Sequence, residues 1–401
     1  MDLLRREQVK YVFHPPRYSR LIAPLLTWLS TLKYMRQKFR VDTISIEGAK
    51  RVRELTAQGH MVLVAPNHAD HADPHVLAEV GRKEGLAFHY MAAREVFEIR
   101  GRIGRWALSR IGSFSVDREG ADMAAIKMAM SILREARHPL VVFPEGEIFH
   151  HHERLAPLNE GVATILLRAT KGQPAEQQAF LVPTAMRYTH DPSVAADFTE
   201  RLDRLERAIT WKPRPELDTL ERIYRLGSGI LATKEVEFLG SARPGPLAER
   251  IEYLQHELIG RVEDEHFDTR KSGTTPERVK ALRYKIRQEL TAESGCEADR
   301  EKKLYDDLDS LFGAVQLFSY PGQYLAEEPT TDRIAETLLK LEEDVLGKAN
   351  YPGPRAVTVR FGEPIEIGDF LHRHELTMKT AAAPLTDLLA TRIQSMLDTL
   401  G

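Results

Sequence analysis

Short apolar runs closed by proline or glycine alternate along this chain with stretches whose apolar residues recur every three or four positions. That is the pattern of strands followed by helices in an α/β domain. Val41–Glu47 alternates apolar and polar residues and predicts an edge strand. Met61–Val64 predicts a short buried strand, which Pro66 ends because proline cannot donate to a ladder. Further strands are expected at Leu86–Ala92, Ile111–Val116, His138–Phe143 and Ala179–Thr184. Helices are expected at 74–81, 121–136 and 160–170, with a broken helical piece at Phe97–Arg110 interrupted by Gly101 and Gly104. Met123, Ile126, Met130 and Leu133 share one face of the 121–136 helix, ordinary core filling.

From residue 190 to 350 the texture changes. The segment is rich in charge and reads as successive amphipathic helices near 195–209, 216–231, 246–265, 275–292, 299–318 and 331–347. Its breaks fall at Pro- and Gly-rich points, including Trp211–Pro215, Ala242–Pro246, Ser272–Pro276 and Tyr320–Gly322. Glu221-Arg222-Ile223-Tyr224 and Glu249-Arg250-Ile251-Glu252 hint at a repeat. Mixed charges on helix faces are ordinarily solvated surface. Alternation returns at Arg355–Ile367, and a last amphipathic helix is expected over 383–399.

Residues 17–40 set Leu21, Leu25, Trp28, Leu29, Leu32 and Phe39 at helical spacing between two basic ends. The uncharged run Leu21–Leu32 is shorter than the ~20 residues that span a bilayer. Two readings fit: a helix in a membrane interface with its cations on headgroup phosphates, or a helix packed on the domain's own core. With 56 basic and 59 acidic residues the 401-residue chain carries no bulk signal for nucleic acid. Its single cysteine, Cys296, excludes an intrachain disulfide framework and suits a reducing compartment. The first twenty residues lack the apolar core of a signal peptide, so a cytoplasmic protein, free or on a membrane surface, is expected.

The chemistry concentrates after the second strand. A polar elbow of Asn67, His68, Asp70, His71 and Asp73 separates it from a helix opened by Asp73-Pro74, the edge where open α/β sheets place their sites. On one continuous helix His68 and Asp73 would diverge by roughly 140°. In a turn, the carboxylate can reach back, hold one imidazole nitrogen and leave the other as a general base. Alternatively, Asp73 is only an N-cap and His68 only a turn residue. The strand His138–Phe143 runs into a second elbow, Pro144-Glu145-Gly146, where glycine permits a tight turn and close approach to a ligand. Glu145 is either a substrate contact or a turn carboxylate. His150, His151 and His152 lack HExxH spacing and diverge in direction, so a solvated loop or an acceptor contact is expected rather than a metal site. No metal is expected at His71, Asp73 and His75 either.

His68-x4-Asp73, Gly112…Asp117-Arg118, Phe143-Pro144-Glu145-Gly146 and Val182-Pro183-Thr184 follow one another in an order and spacing that resembles the glycerolipid acyltransferase family, of the lysophosphatidate (1-acylglycerol-3-phosphate) acyltransferase type. The resemblance covers about residues 41–190 and resumes near the C-terminus. It implies an acyltransferase-type α/β domain with a mixed, largely parallel sheet. It also implies that the domain closes on a strand followed by Gly-x-Pro, here Gly362-Glu363-Pro364. Residues 41–190 and 351–401 would then form one domain, with 191–350 a helical insertion or arm and 1–40 an N-terminal membrane-surface region.

The activity implied is transfer of a fatty acyl group from a thioester, acyl-CoA or acyl-carrier protein, to a lysolipid or glycerol-phosphate-like hydroxyl. His68 would be the general base and Asp73 its orienter. Arg118 would bind the acceptor phosphate, Glu145 and Gly146 would shape the acceptor site, and Pro183 would support it from the next strand. No acyl-enzyme is required, in keeping with the absence of a Gly-x-Ser-x-Gly elbow, and no cofactor beyond the thioester co-substrate is implied. The chain departs from the family after Gly146, where Ile148 stands in place of an expected Arg, and Arg154 is the next cation along. That departure leaves a different acceptor, such as a lyso-aminolipid, as the alternative within the class. A lipid-binding protein without catalysis is the alternative outside it. The arm is a candidate contact for acyl-carrier protein or a partner.

Overall fold

The computed structural model describes residues 11–118, 122–174, 176–290, 297–320 and 324–400. Cys296, the start of the helix expected from residue 121 and the break at 321–322 lie outside them. The chain forms two compact units, one of Tyr11–Asp191 with Gly353–Gly401, the other containing Pro192–Pro352.

The first unit begins with α1 (Ala23–Ser30), which continues through Lys38 as a π-helical segment. There follow β1 (Val41–Glu47), α2 (Ala49–Ala57), β2 (Met61–Pro66), α3 (Asp73–Glu84), β3 (His89–Ala93), α4 (Arg94–Ile99), α5 (Gly101–Arg110), β4 (Ser113–Val116), α6 (Met123–Glu135), β5 (Leu140–Val141), α7 (Gly161–Ala169) and β6 (Ala179–His190). The second unit supplies α8 (Phe198–Thr210), α9 (Thr219–Leu239), α10 (Leu247–His266), α11 (Thr275–Leu290), α12 (Ala298–Phe318), the short α13 (Tyr324–Glu327) and α14 (Thr331–Leu346). The chain then returns as β7 (Arg355–Phe361), β8 (Ile365–Glu366), α15 (Ile367–Arg373) and α16 (Ala382–Asp398).

The eight strands form one sheet in the order β1-β7-β6-β2-β5-β3-β4, with β8 also paired to β6. All neighbours are parallel except β6 with β7 and with β8. The sheet is mixed and largely parallel, as expected. All six residues of β2 are buried, as an apolar run covered on both faces requires. Met61, Leu63 and Leu181 lie in one core with Ala129, Leu133, Leu166, Leu389 and Ile393 of α6, α7 and α16. Each fully buried leucine there contributes about 1.5–3 kcal/mol.

Four expectations need correction. β5 keeps only Leu140–Val141, because Phe143-Pro144 turns out of the ladder. β6 runs six residues past Thr184 to His190, on backbone pairs with β7 and on Asn67. The Asn67 amide donates to Met186 O at 3.0 Å and accepts from Met186 N at 2.7 Å, replacing a peptide group where β2 has ended. On α6, Leu133 is buried and Ile126 and Met130 pack against the core as expected, but Met123 is exposed. The Phe97–Arg110 piece is broken at Gly101 as expected, where φ is +62° and a side chain would be strained, but Gly104 lies inside α5 and does not interrupt it.

In the second unit the hinted repeat is real. Arg222, Arg250 and Arg278 sit in the first turns of α9, α10 and α11. Each clamps, through Nε and Nη2, both oxygens of a buried glutamate at the end of the preceding helix, Glu206, Glu235 or Glu263, at 2.6–3.2 Å. The same carboxylates accept the main-chain N–H eight residues on, at Arg214, Arg243 and Lys271, which pins each connecting loop. Arg201 of α8 and Glu342 of α14 repeat the clamp at 3.0 Å, with Asn350 N as the loop donor, so the last long helix is tied to the first. Among the described residues no helix is long and apolar enough to cross a membrane.

Candidate active site

β2 delivers the elbow at its C-terminal edge. Asn67 is held against β6, and His68 follows with a half-buried ring stacked on Phe143, centroids 4.0 Å apart. His68 Nδ1–H donates to Asp73 Oδ2 at 2.9 Å, which leaves Nε2 as the ring's second nitrogen. Asp73 is fully buried and is the first residue of α3; the residue before it is Ala72, and no side chain caps the helix. The carboxylate is therefore not an N-cap. Oδ2 also accepts Asp70 N at 3.0 Å, and Oδ1 accepts the Tyr188 hydroxyl at 2.6 Å. Burial, then the Asp73 charge, push the Tyr188 phenol well above its usual pKa, so it stays a donor.

Asp70 locks the turn from beneath. Its Oδ1 accepts Ala72 N at 2.7 Å and its Oδ2 accepts Arg355 Nη1 at 2.7 Å. Burial raises the Asp70 carboxyl, but the Arg355 charge and hydrogen bond outweigh it and hold it well below the ordinary range. Arg355 also lies over the Tyr188 ring, 4.6 Å from its centroid, and donates through Nε to Phe39 O at 2.7 Å. Asp70, Tyr188 and Arg355 are the residues that reading the sequence missed. Asp70 was visible in the elbow; the other two lie on strand positions with no local signal.

The second elbow meets the first through Glu145. Its Oε1 accepts His68 N at 2.5 Å and its Oε2 accepts Ala156 N at 3.0 Å. The carboxylate is buried, so Glu145 is a tie between loops. Asn159 Nδ2 donates to Pro144 O and Glu145 O, both at 3.1 Å, and fixes the turn. Gly146 has a φ of +78°, and a Cβ there would meet Asn159 Nδ2 at 3.0 Å. Arg118 reaches this elbow: Nη1 donates to Gly146 O and lies 3.1 Å from Glu147 Oε2, while Nη2 is 3.7 Å from Glu95 Oε2. Pro183 lies in β6 opposite Ala65, and its carbonyl accepts Gly362 N at 2.8 Å, joining the closing Gly-x-Pro to the site strands.

The solvated-loop reading of the histidine cluster fails for two of its members. His150 and His152 are buried, and the His152 ring packs 4.8 Å from that of Tyr188 with Nε2 4.0 Å from Asp70 Oδ2. His75 does not face His71 and Asp73 as a ligand set would; it bonds Ser30 Oγ at 2.6 Å and stacks on Tyr34. Glu265, His266 and Asp307 converge in the second unit, but Lys303 Nζ lies 2.9 and 2.6 Å from the two acids and supplies the cation there.

Glu145 carries a pH signature. Burial pushes its carboxyl from 4.5 up to about 8, against the pull of the two N–H bonds. From pH 4.5 to about 8 the native state therefore keeps a proton that the unfolded chain has lost, so stability falls as pH rises through that window. Melting temperatures measured across it should fall more steeply for the wild type than for Glu145→Gln. Parallel curves would show that Glu145 does not titrate there.

The half-buried His68 and the buried Asp73, paired between two elbows of a mixed α/β sheet, form the candidate active site. Residues 43–187 match the family model described as Acyltransferase, which supports a glycerolipid acyltransferase-like family for this part of the chain. The match supports acyl transfer in general. No curated protein matches the chain.

Proposed function

We propose that the protein moves a fatty acyl group from an acyl thioester, acyl-CoA or acyl-carrier protein, to the hydroxyl of a lysophospholipid or glycerol-phosphate-like acceptor at a membrane surface. The observation that carries the reading is the 2.9 Å bond from His68 Nδ1 to a fully buried Asp73. It favours one tautomer, with Nε2 free to take the acceptor proton as the hydroxyl oxygen attacks the thioester carbonyl. The C–S bond then breaks, the proton passes to the departing thiolate, and ester and thiol leave. Asp73 offsets the charge of the transient imidazolium, and Tyr188 holds Asp73. Tyr188→Phe should lower kcat by roughly 10-fold, about one charge-assisted bond, with KM values little changed. An unaltered kcat would remove Tyr188 from the positioning set.

Arg118 beside Gly146 supports a phosphorylated acceptor, since a guanidinium suits bidentate phosphate contact. A phosphate would compete with Glu147 and Glu95 for it. Ile148 leaves the lyso-aminolipid acceptor as the second reading. The exposed Leu21, Leu25, Trp28 and Leu29 support the surface reading of residues 17–40, as a face packed on the core would be covered. Labelled acyl-CoA and acyl-carrier protein, offered with phosphorylated and neutral lysolipids, test the proposal. Arg118→Ala should raise KM for phosphorylated acceptors roughly 10–100-fold and leave neutral ones unaffected. Equal effects on both would refute the phosphate role, and tight lysolipid binding without product would favour a binding protein.

A further inference from the structure

Two stretches of this chain contain no acidic residue, 17–40 and 99–111, yet both are rich in arginine or lysine. The fold lays them side by side. Arg17 N donates to Ser109 O at 2.8 Å and Ser19 N to Arg110 O at 3.1 Å. At the other end the Arg100 guanidinium lies 5.4 Å from the Tyr34 ring centroid. The α1 segment and α5 thus run antiparallel along one face. Both present bare apolar side chains: Leu21 is 91% exposed, Ile103 82%, Ile99 67% and Trp106 46%.

Where the two meet there is a groove of about 260 Å³, lined by His14, Arg17, Arg105, Trp106 and Arg110 among others. Among the described residues no acidic side chain forms an ion pair with Arg17, Arg105 or Arg110; Arg110 rests over the Trp106 ring at 5.9 Å. Burial and then Arg105 hold the His14 pKa below its usual value, against the opposing field of Glu98, so the groove's positive charge is that of its guanidiniums. Three guanidiniums with no acidic partner among the described residues, around a cavity bordered by exposed Leu, Ile and Trp, match one chemistry: a phosphate joined to an apolar layer.

We propose that this groove binds the phosphate headgroup of an anionic phospholipid in a bilayer, while Leu21, Ile103 and Trp106 enter the acyl region beside it. The helix Gly101–Arg110 is then the second half of the membrane-binding surface. The inference rests on the surface reading of residues 17–40 for its location and adds a headgroup site and a preference for anionic lipid.

The test is flotation of the full chain with phosphatidylcholine vesicles and with phosphatidylcholine–phosphatidylglycerol vesicles, for the wild type, Arg105→Gln/Arg110→Gln and Leu25→Ser/Trp28→Ser. Circular dichroism melts serve as the folding control. The wild type should favour phosphatidylglycerol vesicles, and the arginine variant should lose roughly 30-fold in that affinity, about a factor of five per cation at the surface. It should keep its turnover of a water-soluble short-chain acyl thioester. The Leu25/Trp28 variant should lose binding to both vesicle types. Equal binding of wild type and arginine variant to anionic vesicles would overturn the groove and leave the 17–40 reading standing. Wild-type flotation with neither vesicle would overturn both. Inorganic phosphate that displaces the protein from vesicles at matched ionic strength, to the same degree as it binds in their absence, would mark a soluble-phosphate site and overturn the lipid assignment.

Discussion

Replacing His68 with alanine should lower kcat for acyl transfer about 10²–10⁴-fold, the range a positioned general base contributes. The substitution is well suited to isolating chemistry from folding. Asp73 would lose one partner but keep the Tyr188 hydroxyl at 2.6 Å and Asp70 N at 3.0 Å, so its buried charge stays hydrogen-bonded. Glu145 grips the main-chain N–H of residue 68, not its ring, so the tie between the elbows survives as well. KM values for donor and acceptor should therefore change little. Steady-state kinetics with matched melting curves check this, and a loss of only a few-fold in a folded variant would assign the proton to another group.

The largest effect on stability should come from Arg355→Met, which we expect to cost about 3–5 kcal/mol by leaving a buried carboxylate unpaired. Arg355 and Asp70 are both essentially inaccessible, and the guanidinium meets Asp70, Phe39 O and the Tyr188 ring together. Methionine retains apolar volume over Tyr188 but no charge. Adding Asp70→Asn should recover much of the loss, because the uncompensated charge disappears with its partner. The pairing depresses the Asp70 pKa below its value of 3.8 in the unfolded chain, so its contribution is present above that pH and is lost as pH falls further. Urea unfolding of the single and double variants measures the coupling; additive costs would show that Arg355 acts by packing alone.

Much of this was legible because strands and elbows announce themselves locally. β1 has the expected bounds, and His68 and Asp73 meet through a turn that Pro66 and Pro74 frame. What was not legible depends on partners distant in sequence. Tyr188 lies 115 residues from Asp73 and Arg355 lies 285 from Asp70, and nothing around either distinguishes it from an ordinary strand residue. Tyr188 also belongs to the part of β6 that an apolar-run reading ended at Thr184, because the Asn67 amide that helps prolong the strand comes from another loop. In the second unit the Glu-Arg-Ile turns pointed to Arg222 and Arg250, whereas Arg278 and Arg201 stand in turns of different sequence. The glutamate half sits inside helices already full of acids, so burial alone separates Glu206 or Glu235 from their exposed neighbours.

The last register pair of β6 and β7 joins His190 to Arg355 directly. To the sheet, then, everything between them is the loop of a β-hairpin, however many helices it holds. Closing a longer loop costs entropy only logarithmically, and the Arg201–Glu342 clamp already draws the two ends of that loop together. The helical unit is in this sense a cassette, inserted at a position where its length is nearly invisible to the host. A two- to five-residue turn of about the usual hairpin length could stand in its place.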